Sequence, residues 1–223
     1  MRLACLFSGG KDSTYAAHLM EQAGHEVVCL VSVVPKDPHS WVFHTLNLEH
    51  LPVMAEAMRK ELIAAPSSGE EDADLSVLKN ILSNLDVEGV VTGAIASDYQ
   101  WDRMNGVCHE LGLRVFSPLW RKDQLTVMND MLHAGMSVII VGVYSDGLGR
   151  EWLGRQMDRK AIDQLSSLSK DRGMNVSGEG GEYETLVLDS PMHHSPLVPH
   201  DVQVEFRRDS GHLRIGRLVI SER

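Results

Sequence analysis

Six residues near the start of the chain, Ser8-Gly9-Gly10-Lys11-Asp12-Ser13, combine the groups that hold a polyphosphate. They follow the apolar run Leu3-Ala4-Cys5-Leu6-Phe7, which reads as a buried strand. They precede Tyr15, Ala16, Leu19, Met20 and Ala23, which share one helical face, and Gly24 stops that helix. Strand, glycine-rich turn and helix N-terminus in this order leave backbone N–H groups without internal partners, and the helix dipole favours an anion there. Two glycines admit close approach of a ligand. Ser8 and Ser13 offer hydroxyls, Lys11 a point charge, and Asp12 a carboxylate for Mg²⁺ against phosphate oxygens. The plain alternative is an ordinary strand–helix turn capped by Ser or Asp.

A second stretch, Gly178-Glu179-Gly180-Gly181-Glu182-Tyr183-Glu184-Thr185, sets carboxylates beside glycines. If Glu182 opens a strand, Glu182 and Glu184 point to one face and Tyr183 to the other. Carboxylates so close repel one another unless something cationic sits between them. The plain alternative here is a solvated hairpin whose glycines serve turn geometry.

The elements that must position these motifs read as α/β. Strand patterns fall at Glu26 to Val34, Val87 to Thr92, Arg114 to Phe116 and Ser137 to Val143. Helical patterns fall at Leu51 to Leu62, Asp74 to Leu85, Arg103 to Leu111 and Asp123 to His133. Pro66-Ser67-Ser68-Gly69 reads as a loop. Apolar strands alternating with helices predict a parallel sheet covered on both faces, an α/β/α Rossmann-like domain, with ligands bound beyond the carboxyl ends of the strands. Gly10, Ser32 and Gly93 would meet at that edge. The texture changes after about Val143. A helical stretch, Arg150 to Arg172, precedes strand patterns at Tyr183 to Leu188, Val202 to Arg207 and His212 to Ile220. These lack intervening helices and should pair antiparallel in a smaller α+β domain. The division falls at 1–140 and 141–223.

Composition excludes several classes. Apolar content of 43% and charged content of 23% belong to a globular protein, and 223 residues can bury a full core. No apolar run is long enough to span a membrane, and Met1-Arg2 leads directly into the first strand, so neither a membrane span nor a signal peptide is expected. The formal charge of −10 and the lack of a Lys/Arg run argue against a nucleic-acid partner. Cys5, Cys29 and Cys108 form no CxxC pair and read as core thiols of a reducing, cytoplasmic compartment.

The Ser8–Ser13 spacing is not that of a Walker A loop, which needs four residues between its first glycine and Gly-Lys-Ser/Thr. It resembles the PP-loop of N-type ATP pyrophosphatases, which split ATP into AMP and pyrophosphate. The chain as a whole is similar to the diphthine–ammonia ligase, or diphthamide synthase, family. That family joins a PP-loop to a GEGGEYET-type segment. The similarity continues through Trp41-Val42-Phe43-His44, Gly93 to Gln100, Pro118-Leu119-Trp120 and Glu151 to Arg155. Trp101 and Asn105 depart from the Arg and Glu that members often carry there.

The resemblance implies an adenine nucleotide alpha hydrolase-like fold and the last step of diphthamide synthesis. A modified histidine of translation elongation factor 2 bears a trimethylammonio-carboxypropyl group. Its carboxylate becomes an amide at the expense of ATP and ammonium, through an acyl adenylate, with release of AMP and pyrophosphate. It implies roles as well. Ser8, Gly9, Gly10, Lys11, Asp12 and Ser13 would bind phosphates, Asp12 with Mg²⁺, and Val31, Ser32, His44 and Gly93 would line the adenosine pocket. Lys11, Asp12, Glu182 and Glu184 would be catalytic. Tyr99, Gln100, Trp152, Glu179, Gly180, Gly181, Glu182, Tyr183, Glu184 and Thr185 would face the substrate. Glu179, Glu182 and Glu184 would hold its cation, or ammonium, and take a proton. Two or more of Tyr99, Trp101, Trp120, Trp152 and Tyr183 would cage the trimethylammonium. No glutaminase segment or N-terminal cysteine is present, so free ammonium or a separate donor is expected, as in the short archaeal-type form. Oligomeric state is open, a homodimer included. The rivals are a sulfur-transferring or lysidine-type tRNA enzyme, which calls for a basic surface, and a nucleotide sensor, which has no use for the second motif.

Overall fold

The computed structural model describes residues 1–36 and 46–222. The expected adenosine contact His44, and Trp41 with it, lie outside the described residues. β1 (Arg2–Leu6) is an apolar run buried at its centre, as a strand covered on both faces must be. The glycine-rich turn leads from it into α1 (Lys11–Gln22). β2 (Glu26–Pro35), β3 (Glu61–Ser67), β4 (Gly89–Val91) and β5 (Arg114–Phe116) complete a five-stranded sheet ordered β3-β2-β1-β4-β5. Every pairing in it is parallel. α2 (Leu51–Ala57), α3 (Glu71–Ser83) and α4 (Asp98–Glu110) connect the strands. The order reverses at β1, whose neighbours are β2 and β4, and such a switch point is where α/β sheets take ligands.

A second sheet, ordered β7-β6-β9-β8, is antiparallel. It consists of β6 (Ser137–Val143), β7 (Tyr183–Asp189), β8 (Leu197–Arg207) and β9 (Ser210–Ile220). α5 (Gln124–His133) leads into it and α6 (Arg159–Arg172) lies between β6 and β7. One hydrophobic core runs through both sheets, from Leu3 and Leu30 to Ile140, Ile162 and Ile215. Each fully buried aliphatic side chain there contributes about 1.5–3 kcal/mol over exposure. The 3₁₀ turn Leu48–His50 ties the parts together: Asn47 Nδ2 donates to the Leu213 carbonyl at 3.1 Å, and His50 Nε2 lies 2.8 Å from that of Ile215.

Four expectations need correction. The pattern from Leu51 to Leu62 is not one helix: the chain leaves α2 through Arg59, at φ 52, and Glu61 begins β3. Pro66 reads as a loop residue but lies in β3, which is an edge strand and can omit a ladder donor. The apolar run of β6 belongs to the antiparallel sheet, so the expected division at residue 140 falls inside that strand. Finally, Arg150 to Arg172 is interrupted: a 3₁₀ turn at Arg150–Trp152 and Gly154 at φ 81 precede α6. The antiparallel pairing of the last strands is as expected, and Arg208 at φ 54 turns the β8–β9 hairpin. Among the described residues no helix is long and apolar enough to cross a membrane.

Candidate active site

The two motifs, far apart in sequence, meet in space. The backbone N–H of Lys11, one of the orphan donors of the α1 N-terminus, donates to Thr185 Oγ1 of β7 at 3.2 Å. The Val187 N–H donates to the Gly9 carbonyl at 3.0 Å. Gly10, the N-cap of α1, has no side-chain cap of its own, so β7 supplies one. Within the loop, Ser8 Oγ and Ser13 Oγ lie 3.3 Å apart, and Ser13 Oγ donates to the Gly10 carbonyl at 3.2 Å. Gly9 sits at φ 75, where only glycine is unstrained. Gly93, just past β4, packs against the first turn of α1: a Cβ there would lie 2.6 Å from the Ser13 nitrogen.

Lys11 is buried, 3% exposed. Its Nζ donates to Asp12 Oδ2 at 2.7 Å and to the Ser177 carbonyl at 2.5 Å, and lies 5.5 Å from the centre of the Tyr183 ring. Asp12 Oδ1 is buried without a hydrogen-bond partner. An orphan carboxylate oxygen beside a phosphate-type loop fits a hard cation shared with phosphate oxygens, for Mg²⁺ takes one or two carboxylates and leaves the rest to substrate and water. Among the described residues no cluster of three His, Cys, Asp or Glu could hold a metal alone.

The glutamates of the second motif are not a shared acidic patch. Glu179 Oε1 accepts from the backbone N–H groups of Ile95, Ala96 and Ser97 at 2.9, 2.8 and 3.2 Å. Glu182 lies before β7 and folds back: Oε1 accepts from the Asn175 N–H at 2.6 Å and Nδ2 at 2.8 Å, and Oε2 from the Gly180 N–H at 2.8 Å. Glu184 bonds the Tyr144 hydroxyl; burial, then the Glu184 charge, push that phenol up. Separate donors thus remove the repulsion that the spacing suggests. Gly180 and Gly181 form the exposed turn before β7.

The aromatic residues are mostly committed. Tyr183 is buried and donates to the Val176 carbonyl at 2.7 Å; burial, Asp12 and Glu182 hold its phenol well above the ordinary range. Trp152 is core, with Arg155 over its ring at 4.3 Å. Tyr99 carries Arg103 at 4.4 Å and bonds Glu71, which raises its phenol. Gln100 N–H donates to the N-cap hydroxyl of Ser97 at 3.3 Å. Trp101 and Trp120 stack at 5.5 Å. Val31 is buried in the core under α3 and α4, and the Ser32 hydroxyl donates to the Phe7 carbonyl at 2.5 Å from within β2. Sequence reasoning missed three supporting residues. Gln124 Oε1 accepts from the Ser177 N–H at 3.2 Å and hydroxyl at 2.9 Å, while Gln124 Nε2 donates to Asn175 Oδ1 at 3.0 Å. Nothing in their local sequence marks them. All three cysteines are free and buried, as expected.

Such a structure is a parallel α/β protein with a glycine-rich loop at its switch point, closed by a strand of a second sheet. Residues 1–115 match the family model of the diphthamide synthase N-terminal domain, and residues 123–220 that of the diphthamide synthase C-terminal domain. The chain belongs to the diphthamide synthase family, a family of ligases. It is 37% identical to a Schizosaccharomyces pombe protein named diphthine–ammonia ligase, covering 92% of this chain but 37% of that one. It is 32% identical to a Danio rerio protein of the same name, covering 98% and 94%. Among solved structures it is similar to a chain described as a predicted subunit of tRNA methyltransferase from Methanocaldococcus jannaschii. The TM-score is 0.45 at 13% identity, over 86% of this chain and 98% of that one.

Proposed function

We propose that the chain amidates diphthine on translation elongation factor 2 to diphthamide, using ATP and ammonium and releasing AMP and pyrophosphate. The observation that carries this reading is the junction of the two motifs: Thr185 caps the loop at the Lys11 N–H, and Val187 bonds Gly9. The glycine-rich loop and the family's second motif are thus side by side, where a phosphate and an acceptor can meet.

The chemistry needs that proximity. A carboxylate is a poor electrophile because its oxygen leaves badly. Attack of that carboxylate on the α-phosphate of ATP gives an acyl adenylate, from which ammonia displaces AMP. The loop amides and the Ser8 and Ser13 hydroxyls hold the phosphates and stabilise charge on the departing pyrophosphate. Asp12 would hold Mg²⁺, which would supply Lewis-acid stabilisation of the same charge. Gly93 lets the end of β4 lie against the first turn of α1, which holds the loop in place. Nucleotide binding falls to the first sheet and acceptor binding to the second. Elongation factor 2 is the protein partner.

The test is a reaction of the purified protein with ATP, ¹⁵N-ammonium and diphthine-bearing elongation factor 2. AMP, pyrophosphate and one labelled nitrogen on the factor are expected. ATP left intact with an unmodified factor would overturn the proposal in favour of a nucleotide sensor. AMP without nitrogen on the factor would mean a different carboxylate or a tRNA substrate.

A further inference from the structure

Glu179 was expected to hold a cation or take a proton, yet one of its two oxygens is committed to another task. Oε1 accepts from the N–H groups of Ile95, Ala96 and Ser97, all within 3.2 Å. A carboxylate oxygen offers about two lone-pair sites. Three donors therefore saturate Oε1 and commit it to the backbone of that segment.

Its position explains what it does instead. The amides it gathers lead into α4, whose N-cap Ser97 holds the Gln100 N–H. The same short segment bears Gly93, which packs on Asp12 and Ser13, and Tyr99. The loop that carries Glu179 is held on its other side by Lys11, through the Ser177 carbonyl, and by Gln124, through the Ser177 N–H and hydroxyl. Glu179 is thus the cross-link between the second motif and the segment after β4, while Lys11 links that motif to the first. Without Glu179, three N–H groups lose their acceptor and the segment after β4 is free to shift.

We propose that Glu179 is a positioning residue for the amidation reaction: it fixes the Ile95–Ser97 segment against the Ser177–Glu182 loop through Oε1, and the reaction needs this acceptor rather than the carboxylate's charge. This rests on the proposed activity. The chemical distinction is that positioning needs an acceptor oxygen, which glutamine keeps, whereas a base or cation ligand needs the charge.

Two variants and two readouts decide it. Glu179→Ala should lower kcat about 10²-fold, the scale of a displaced reacting group, and should raise amide hydrogen exchange at residues 95–97. Glu179→Gln should restore the slow exchange and most of the lost kcat, and its kcat–pH profile should keep the acidic limb of the parent. Glu179→Gln as inactive as Glu179→Ala, with residues 95–97 still protected, would overturn the proposal and make Glu179 the base or cation ligand. Unchanged exchange in Glu179→Ala would overturn it as well. If the parent protein fails to amidate the factor, the functional reading falls, and the exchange measurement still decides whether Glu179 anchors the segment.

Discussion

Lys11→Met removes a buried charge while keeping the length and bulk of the side chain. In the parent, Nζ is bonded to the Ser177 carbonyl at 2.5 Å and to Asp12 Oδ2 at 2.7 Å. The carbonyl would lose a charge-assisted bond worth about 1.5–3 kcal/mol. Asp12 would lose its ion pair, but its side chain is 26% exposed, so water replaces part of that interaction and the loss is nearer 1 kcal/mol than the 3–5 of a fully buried pair. Relief of the ammonium's desolvation offsets part of both, leaving a net cost of about 2 kcal/mol. For a chain of this size that lowers Tm by about 4–8 °C. Circular dichroism melts measure the stability, and calorimetric titration with a non-hydrolysable ATP analogue measures affinity. The ammonium is committed to Ser177 and Asp12, so affinity should fall less than about tenfold while Tm falls clearly. An unchanged Tm with an affinity loss near 100-fold would refute the reasoning, because it would place Nζ on a phosphate.

Gly93→Ala sets a Cβ 2.6 Å from the Ser13 nitrogen and 2.7 Å from the Asp12 carbonyl carbon, so backbone must part from backbone. ATP affinity and Tm should both drop; retention of both would mean that β4 does not press on α1. Gly106→Ala, within α4 and facing open space, should instead stabilise by about 0.5–1 kcal/mol, read in the same melts. Tyr183→Phe leaves the Val176 carbonyl unpaired in the core and should cost about 1–3 kcal/mol; an unchanged denaturation midpoint would deny the 2.7 Å bond. Burial pushes Cys5 up to about 12 and Cys29 and Cys108 up to about 11, from 9.0. Above pH 9 the unfolded thiols release protons that the folded ones keep. Stability should therefore fall as pH rises toward 11–12, by about 1.4 kcal/mol per unit for each thiol in its window. Denaturant midpoints at pH 8 and pH 10.5 check this, and equal midpoints would contradict it.

What the sequence makes legible is local. Strand, glycine-rich turn and α1 follow from adjacent residues, and so does the β8–β9 hairpin. The edge strand β3 is hidden because Leu62 and Ile63 extend the apolar spacing of α2 and Pro66 mimics a loop. β6 is misplaced because a buried apolar run reads alike in a parallel or an antiparallel sheet. Within the site, residue types were legible and their partners were not. Thr185 caps an amide 174 positions away, and Glu179 reaches amides more than 80 positions away. A spacing of charges on the chain says that they must be neutralised. Only the fold decides whether a ligand, a lysine or a row of backbone amides does it.

The aromatic residues make the same point about the trimethylammonium cage. Arg103 covers Tyr99, Arg155 covers Trp152, Arg121 lies 5.1 Å from the Trp120 ring, and Lys11 lies beside Tyr183. Four of the five aromatic rings therefore already carry a cation of the chain's own. A cation–π contact is worth about 0.5–1 kcal/mol when exposed and about 2 when desolvated. A tethered guanidinium is always at hand, so a quaternary ammonium gains little by replacing it. Tyr183 and Trp152, only 3% and 4% exposed, are further closed by the core around them. What remains is Trp101, partly exposed and stacked on Trp120 rather than under a cation. It stands in the first turn of α4, behind the segment that Glu179 holds. Any aromatic recognition of the factor's cation therefore depends on the same anchoring as the reacting groups, and loss of Glu179 should weaken it together with kcat.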